Sequence, residues 1–359
     1  MTSIFRNQNV LITGHTGFKG AWLSQWLLRL GANLFGCSLE PPTSISLYDQ
    51  LQLRTKMKSA HADVRDANVL RREVVSFRPR FIFHLAAQSL VRRSYREPVD
   101  TFATNVMGTV NLLESIRELQ DPCAVVIVTT DKCYLNREWN RGYREDDTLG
   151  GADPYSASKA MAELAVESYR RSWFPAHESP VRLASARAGN VIGGGDWAED
   201  RIIPDCVRAL QLGQPIAIRN PNARRPWQHV LDPLFGYLLL AERLWLADAG
   251  DDSHRVCSAF NFGPDETEHR TVEVLVDEVL RHWPGTSQVI KQPNALHEAT
   301  LLSLATNKAK TILGWQPRWR FDRSIQQTIA WYQRVNAGEP ADSVTDEQID
   351  QFEQDGQTR

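Results

Sequence analysis

Excess charge of either sign, long apolar runs and paired cysteines are all missing from this chain of 359 residues. Lys and Arg number 41 against 43 Asp and Glu, a formal charge of −2, so the basic excess that phosphate-backbone binding demands is absent and a general nucleic-acid binder is excluded. No stretch approaches the roughly 20 consecutive apolar residues of a membrane-spanning helix, so no membrane partner is expected. The opening MTSIFRNQ has none of the features of a secretory signal and runs almost at once into a strand; a cytoplasmic protein is expected. Cys37, Cys123, Cys133, Cys206 and Cys257 are odd in number and scattered without metal-ligand spacing. They are expected to be reduced thiols, with neither a disulfide framework nor a structural metal. There is no internal repeat and no low-complexity array.

What the chain does have is a 42% hydrophobic content, enough for a substantial core. Apolar runs read as strands near 8–13, 33–38, 80–85, 123–130 and 181–186, and helical patterns near 18–31, 66–77, 99–119 and 154–172 lie between them. That alternation predicts an α/β fold, a doubly wound, Rossmann-like parallel sheet with helices on both faces. Beyond about residue 188 the rhythm loosens into loops rich in Gly, Pro, Asn and Arg, with helices near 203–212, 232–247, 271–283 and 321–335. The expected division is a dinucleotide-binding domain over 1–187, a smaller substrate-binding lobe over 188–337 with some segments returning to the first domain, and a mobile tail over 338–359.

Two motifs carry chemistry. In DPYSASKAMAE, Tyr155 and Lys159 are four apart and so share one helix face. A fixed ammonium beside the phenol, helped by a bound nicotinamide cation, favours the phenolate and makes tyrosine a usable base. An ordinary helix-surface pair has the same spacing, but the N-terminus argues otherwise. There NVLITGHTGFKG sets Gly14, Gly17 and Gly20 between a strand and a helix, where glycine permits a tight turn and close approach to a pyrophosphate. His15 adds bulk in this turn and Lys19 brings a charge toward the phosphates; both are read as tuning the grip on the cofactor.

Other cofactor contacts are less sharply marked. Asp63 in HADVRD is placed to accept from an adenine amino group, or else simply opens the next helix. In FIFHLAAQS the small Ala86 and Ala87 would let a ribose lie against the sheet edge. The second strand ends in Cys37-Ser38-Leu39-Glu40 without delivering an aspartate to the adenosine ribose. Ser38 or Glu40 is left to bond the 2′-hydroxyl, and with no arginine at this point NAD is favoured over NADP.

With the glycine turn, DVRD, HLAAQS, Asn105 in TNVMGT, Thr130-Asp131-Lys132 and YSASK in this order, the chain resembles the extended short-chain dehydrogenase/reductase superfamily from the first strand to about residue 335. Within it the chain looks like the nucleotide-sugar 4,6-dehydratases, most closely the branch that acts on CDP-glucose, through GHTGFKG and TTDKCY. The resemblance implies an NAD site that also includes Phe18, Val64, Leu85, Gln88 and Asn105. It implies an internal redox cycle: oxidation at C4 of the sugar with Tyr155 taking the O4 proton beside Thr130, loss of the C5 hydrogen and the C6 hydroxyl, and return of the hydride to C6. The product the resemblance implies is water and a 4-keto-6-deoxy sugar nucleotide, a precursor expected to feed the deoxysugars of lipopolysaccharide.

Related dTDP-glucose enzymes carry Asp-Glu where this chain has Asp131-Lys132. Asp131 is therefore expected as the acid at C6 and Lys132 as the base at C5, which requires Lys132 neutral or turned away from Asp131. The competing reading is that Lys132 only positions hydroxyls. The resemblance assigns the sugar nucleotide to Ser89, Asn190, Arg201, Arg225 and Asn261, and a homodimer to helices 99–119 and 154–172 pairing in a four-helix bundle. A sugar 4-epimerase shares Tyr155 and Lys159 but has no need of Asp131-Lys132, and a sensing protein that only binds NAD has no need of Tyr155-Lys159.

Overall fold

The computed structural model describes residues 3–176, 178–247, 251–265, 268–290 and 301–356. Its frame is one sheet of seven parallel strands: β1 (Asn9–Thr13), β2 (Asn33–Ser38), β3 (Lys58–His61), β4 (Phe81–His84), β5 (Cys123–Val128), β6 (Val181–Ala188) and β7 (Ala259–Phe262). Their order across the sheet is β7-β6-β5-β4-β1-β2-β3. β1 pairs with β2 on one side and with β4 on the other, so the chain reverses its direction of winding beside β1. In an open parallel sheet the crevice at the carboxyl ends of such strands is where ligands bind. All six residues of β5 are buried, as the unbroken run CAVVIV requires for a strand covered on both faces.

The helices used below are α1 (Phe18–Arg29), α2 (Ala67–Phe77), α3 (Gly108–Ile116), α4 (Pro154–Ser172), α5 (Ile202–Gln211), α6 (Leu231–Leu246), α7 (Val272–His282), α8 (Phe321–Asn336) and α9 (Ala341–Asp355). Two hydrophobic clusters lie on the two faces of the sheet. One gathers Val10, Ile12, Trp22, Trp26, Phe81 and Phe83 with α6 and the C-terminal helices; the other gathers Leu11, Ile82, Leu112, Ile116, Val125 and Val166. Alternate residues of β1 thus feed opposite clusters, the period-two consequence of the pleat. All five cysteines are buried free thiols.

The second half of the chain is threaded through the first. β7 extends the large sheet beside β6, and α6 packs on β5 and β6. The smaller lobe is built from short pairs, Ile216–Ile218 with Ser287–Val289 and Arg224–Arg225 with Arg270–Thr271, against α5 and α7.

Two expectations need correction. The helix expected over 99–119 is three pieces, Pro98–Phe102, a wider π-type turn over Ala103–Met107, and α3. The tail expected to be mobile is a fifteen-residue helix, α9, with Ala341, Val344, Thr345, Gln348, Ile349 and Phe352 buried along one face. It packs on α1 and α8; Trp26 Nε1 donates to Glu353 at 2.9 Å and Gln25 Nε2 to Asp346 at 2.7 Å. Residues 357–359 of that expected tail lie outside the described residues.

Candidate active site

A cleft of about 1650 Å³ opens along the carboxyl ends of the strands, bounded by the glycine turn on one side and the small lobe on the other. At the turn Gly14 has φ +75°, and a Cβ there would fall 2.6 Å from the backbone nitrogen of Ala86. A Cβ on Gly20 would fall 2.2 Å from the Gly14 carbonyl oxygen. Both positions therefore admit only glycine at this closeness. Gly17 caps α1 without a side-chain hydrogen bond, which leaves the first-turn N–H groups facing the cleft free of an internal acceptor. A turn packed this closely on its own backbone, at an uncapped helix start that borders the cleft, fits a dinucleotide pyrophosphate.

The two unusual side chains of the turn differ in direction. His15 is buried beneath the turn, its ring filling the space beside Gly36 and meeting the Tyr48 ring edge-on at 5.3 Å. Burial, with a smaller push from Arg54, lowers it to about 4, so it is a neutral support and not bulk on the cofactor side. Lys19 lines the cleft, and its ammonium approaches the buried Tyr237 hydroxyl at 3.4 Å. Burial and then the positive fields of Lys159 and Arg201 lower it to about 7, while Asp131 opposes.

Phe18, Ser38, Asp63, Val64, Leu85, Ala86, Ala87 and Gln88 all line the cleft. The Ser38 hydroxyl shares a 2.7 Å hydrogen bond with Thr16, and the Asp63 carboxylate is held by the Arg65 guanidinium, which lowers its pKa. Asn105 is different. It is buried behind the cleft, accepting from the Gln88 backbone N–H at 2.8 Å and donating to the Gln88 carbonyl at 3.0 Å and to Ser158 at 2.9 Å. It ties the β4 end to α4 and does not border the cofactor space.

α4 begins at Asp153, whose carboxylate accepts from the Ser156 N–H at 2.9 Å, with Pro154 as the first helical residue. That start sets Tyr155 and Lys159 on the buried face, 7% and 6% exposed. Lys159 Nζ donates to the Val128 carbonyl at 3.3 Å, and burial lowers its pKa to about 8 against the field of Glu163. The Tyr155 phenol is pushed up to about 12 by burial, opposed by its hydrogen bond to Thr130, with Asp131 raising it further. Among the protein's own groups, burial thus outweighs those that favour the phenolate.

After β5 the chain turns through Thr130, Asp131 and Lys132. The Thr130 hydroxyl caps this turn, accepting from the Lys132 N–H at 3.3 Å, and donates to Asp131 at 3.0 Å. The other Asp131 oxygen accepts from Asn190 Nδ2 at 3.0 Å. Asp131 is 1% exposed and lies against Gly189, where a Cβ would fall 2.0 Å from its carboxyl carbon. No ion pair joins Lys132 to Asp131 among the described residues; Lys132 is half-buried and borders the cleft.

Of the residues expected on the sugar nucleotide, Ser89, Asn190, Arg201 and Arg225 line the cleft. Arg201 spans it, donating to Asp196 at 2.8 Å and to the Ser89 hydroxyl at 3.1 Å; the Asp196 charge raises its pKa. Asn261 is a correction. It is fully buried in β7, accepting from the Tyr134 hydroxyl at 2.7 Å and donating to the Tyr143 carbonyl at 2.8 Å, away from the cleft. Sequence reasoning passed over Gly189 and Glu163, although Glu163 follows Lys159 at the same four-residue spacing.

Similarity to known proteins agrees with this geometry. A model of the GDP-mannose 4,6 dehydratase family matches residues 11–328. A CDP-glucose 4,6-dehydratase of Salmonella typhimurium is 46% identical over 94% of this chain and 94% of its own length. A dTDP-glucose 4,6-dehydratase of Haemophilus influenzae is 25% identical over 90% of this chain and 97% of its own. Among solved structures, the dTDP-glucose 4,6-dehydratase DesIV of Streptomyces venezuelae, with NAD bound, superposes with a TM-score of 0.75 at 23% identity, covering 93% of this chain and 99% of that one. A UDP-glucose 4-epimerase of Thermotoga maritima gives 0.79 at 21% identity, covering 91% and 99%. The cleft at the sheet's winding reversal, the tyrosine and lysine on one helix face and a match along nearly the whole chain converge: the chain belongs to the nucleotide-sugar 4,6-dehydratase family.

Proposed function

We propose that this protein is a CDP-glucose 4,6-dehydratase, an NAD-dependent hydro-lyase that converts CDP-D-glucose to CDP-4-dehydro-6-deoxy-D-glucose and water. The observation that carries the reading is the Thr130-Asp131-Lys132 turn beside Tyr155, an acid and a base next to an oxidising pair. The nearly full-length likeness to the Salmonella enzyme supports the nucleotide. NAD, held by the Gly14–Gly20 turn and the wall from Leu85 to Gln88, supplies the hydride acceptor for the sugar and a positive ring that favours the Tyr155 phenolate.

Tyr155 takes the proton from O4, with the Thr130 hydroxyl orienting that oxygen and the Lys159 ammonium favouring the phenolate. The ketone at C4 acidifies the C5 hydrogen. Lys132 removes it; its position on the cleft, with no ion pair to Asp131 among the described residues, leaves its nitrogen free to face the sugar. Asp131 delivers a proton to the departing C6 hydroxyl, held in place by Thr130 and Asn190. Arg201 and Arg225 suit the pyrophosphate, since a guanidinium can bond two of its oxygens at once. Ser89 lies on the glucosyl side, bonded to Arg201.

The enzyme acts as a cytoplasmic homodimer that supplies deoxysugars for lipopolysaccharide. Val99 is 81% exposed, Leu164 57%, Met107 51% and Met161 46%, an apolar surface on the helices expected to pair. No helix among the described residues is long and apolar enough to cross a membrane.

Incubation with CDP-, dTDP-, UDP- and GDP-hexoses and NAD+ tests the assignment; only CDP-glucose is expected to yield the keto-deoxy sugar efficiently. An epimer in its place refutes the reaction, and equal use of dTDP-glucose refutes the nucleotide. For Lys132→Met, solvent deuterium at C5 of oxidised substrate at the parent rate excludes Lys132 as the base.

A further inference from the structure

The face of α4 that bears Tyr155 and Lys159 continues one turn further to Glu163. This carboxylate is 2% exposed and accepts hydrogen bonds from the Thr129 hydroxyl, from the Ser185 hydroxyl at 2.8 Å and from the Arg187 guanidinium at 2.8 Å. Arg187, 3% exposed on β6, donates at the same time to the Tyr134 hydroxyl at 2.7 Å and to the Glu145 carbonyl at 3.0 Å. A buried ion pair of this kind is a poor source of stability, because desolvation offsets its attraction and apolar residues of similar volume do as well. Its neighbours give the charge another use. Thr129 immediately precedes the Thr130-Asp131-Lys132 turn, and Lys159 stands one helical turn before Glu163.

We propose that Glu163, with Arg187 as its counter-cation, is a positioning residue of the dehydratase: through Thr129 it fixes the turn that carries Asp131 and Lys132 against α4, and through its charge it keeps Lys159 an ammonium. The proposal rests on the dehydratase reading of the site. The groups that face Lys159 are Glu163 and Tyr155 on α4, Cys133 in the turn after β5, His84 at the end of β4 and Lys19 on α1. Burial raises the Cys133 thiol far above its ordinary value and holds His84 neutral at about 3, and the Tyr155 phenol stays protonated. Of these groups only Glu163 brings a negative charge near neutral pH. The hydrogen bonds it receives and the Arg187 charge hold its pKa below the ordinary value in spite of burial.

Turnover of CDP-glucose by the parent enzyme tests the reading beneath the proposal; the variants test the proposal itself. Glu163→Gln combined with Arg187→Met removes both charges and leaves none unpaired in the core, so the fold is kept. The expected result is a high-pH limb of the kcat profile displaced downward by about half a pH unit, since the carboxylate one helical turn from Lys159 is lost and the Arg187 charge lost with it offsets part of the effect. Lys19 is not among the groups that Glu163 influences, so a limb due to Lys19 stays in place. Thr129→Val removes one hydroxyl and no charge; kcat is expected to fall about tenfold with the limb unmoved. A folded double variant with the parent's limb overturns the charge role, and Thr129→Val within twofold of the parent kcat overturns the positioning role.

Discussion

Gly189→Ala tests the placement of Asp131 with the addition of one methyl group. The new Cβ would fall 2.0 Å from the Asp131 carboxyl carbon and 2.1 Å from both of its oxygens. Carbon atoms in contact sit about 3.5 Å apart or more, so the carboxyl must retreat by about 1.5 Å. Gly189 is flanked by β6 and Asn190, and its φ lies outside the left-handed region, so alanine is not opposed by backbone strain. The cost to the fold is that of modest overpacking, about 1–3 kcal/mol. The cost to catalysis is larger. Retreat breaks the 3.0 Å bonds from Thr130 and Asn190 and moves the proposed acid off its position, and a misplacement near 1 Å costs about 100-fold. Oxidation at C4, the step assigned to Tyr155 in the proposed mechanism, should be impaired less. Mixing with substrate should therefore leave reduced nicotinamide fluorescence standing while the keto-deoxy product forms at least about 100-fold more slowly than in the parent. A variant with kcat within threefold of the parent, or one that is slow without accumulating reduced cofactor, refutes the placement of Asp131 as the acid.

Other outcomes are expected. Tyr155→Phe should lower kcat by about 10²–10⁴-fold with little change in the thermal midpoint, measured by product formation and calorimetry. His15, His84 and His229 have folded pKa values lowered by burial to about 4, 3 and 3, below the unfolded value of 6.5. Between pH 6.5 and about 4 the unfolded chain thus binds three more protons, and stability should fall as pH falls, by about 4 kcal/mol per unit, in denaturant titrations at stepped pH. Phe352→Ala should cost about 3–5 kcal/mol, because its ring fills space among Trp26, Phe235 and Trp319; the same titrations at neutral pH measure it. The proposed dimer predicts that the parent sediments as a dimer and Leu164→Glu as a monomer in sedimentation velocity, with cofactor binding intact.

The strands were legible wherever the chain is apolar without interruption. Asn33–Ser38 lies where it was expected, and Cys123–Val128 is two residues shorter because Thr129 and Thr130 already belong to the turn. Lys58–His61, before Asp63, is harder to bound, because an edge strand whose residues are mostly exposed, KSAH, carries little hydrophobic signal. α9 escaped for a related reason: Thr345 and Gln348 hold buried positions in its stripe, so ADSVTDEQIDQF reads as polar although the spacing is helical. Tyr155, Lys159 and Asp131, singled out from motifs, do line the cleft, but side-chain direction defeated motif reading at His15, Asn105 and Asn261. All three point into packed space, and direction depends on partners distant in sequence: Tyr48 for His15, Gln88 for Asn105, and Tyr134 and Tyr143 for Asn261.

The brace that α9 forms on α1 has a consequence for biosynthesis. The bond from Trp26 to Glu353 joins residues 327 apart, and the bond from Gln25 to Asp346 joins residues 321 apart. At a ribosomal rate of about 5–20 residues per second, the nascent chain holds Trp26 without its cover for about 16–65 s. During that interval the segment destined to receive the dinucleotide is already outside the ribosome, complete in sequence and unfinished in packing. The first helix to be made is the last to be braced, so slowed translation late in the message should raise the demand for chaperones more than slowing early in it.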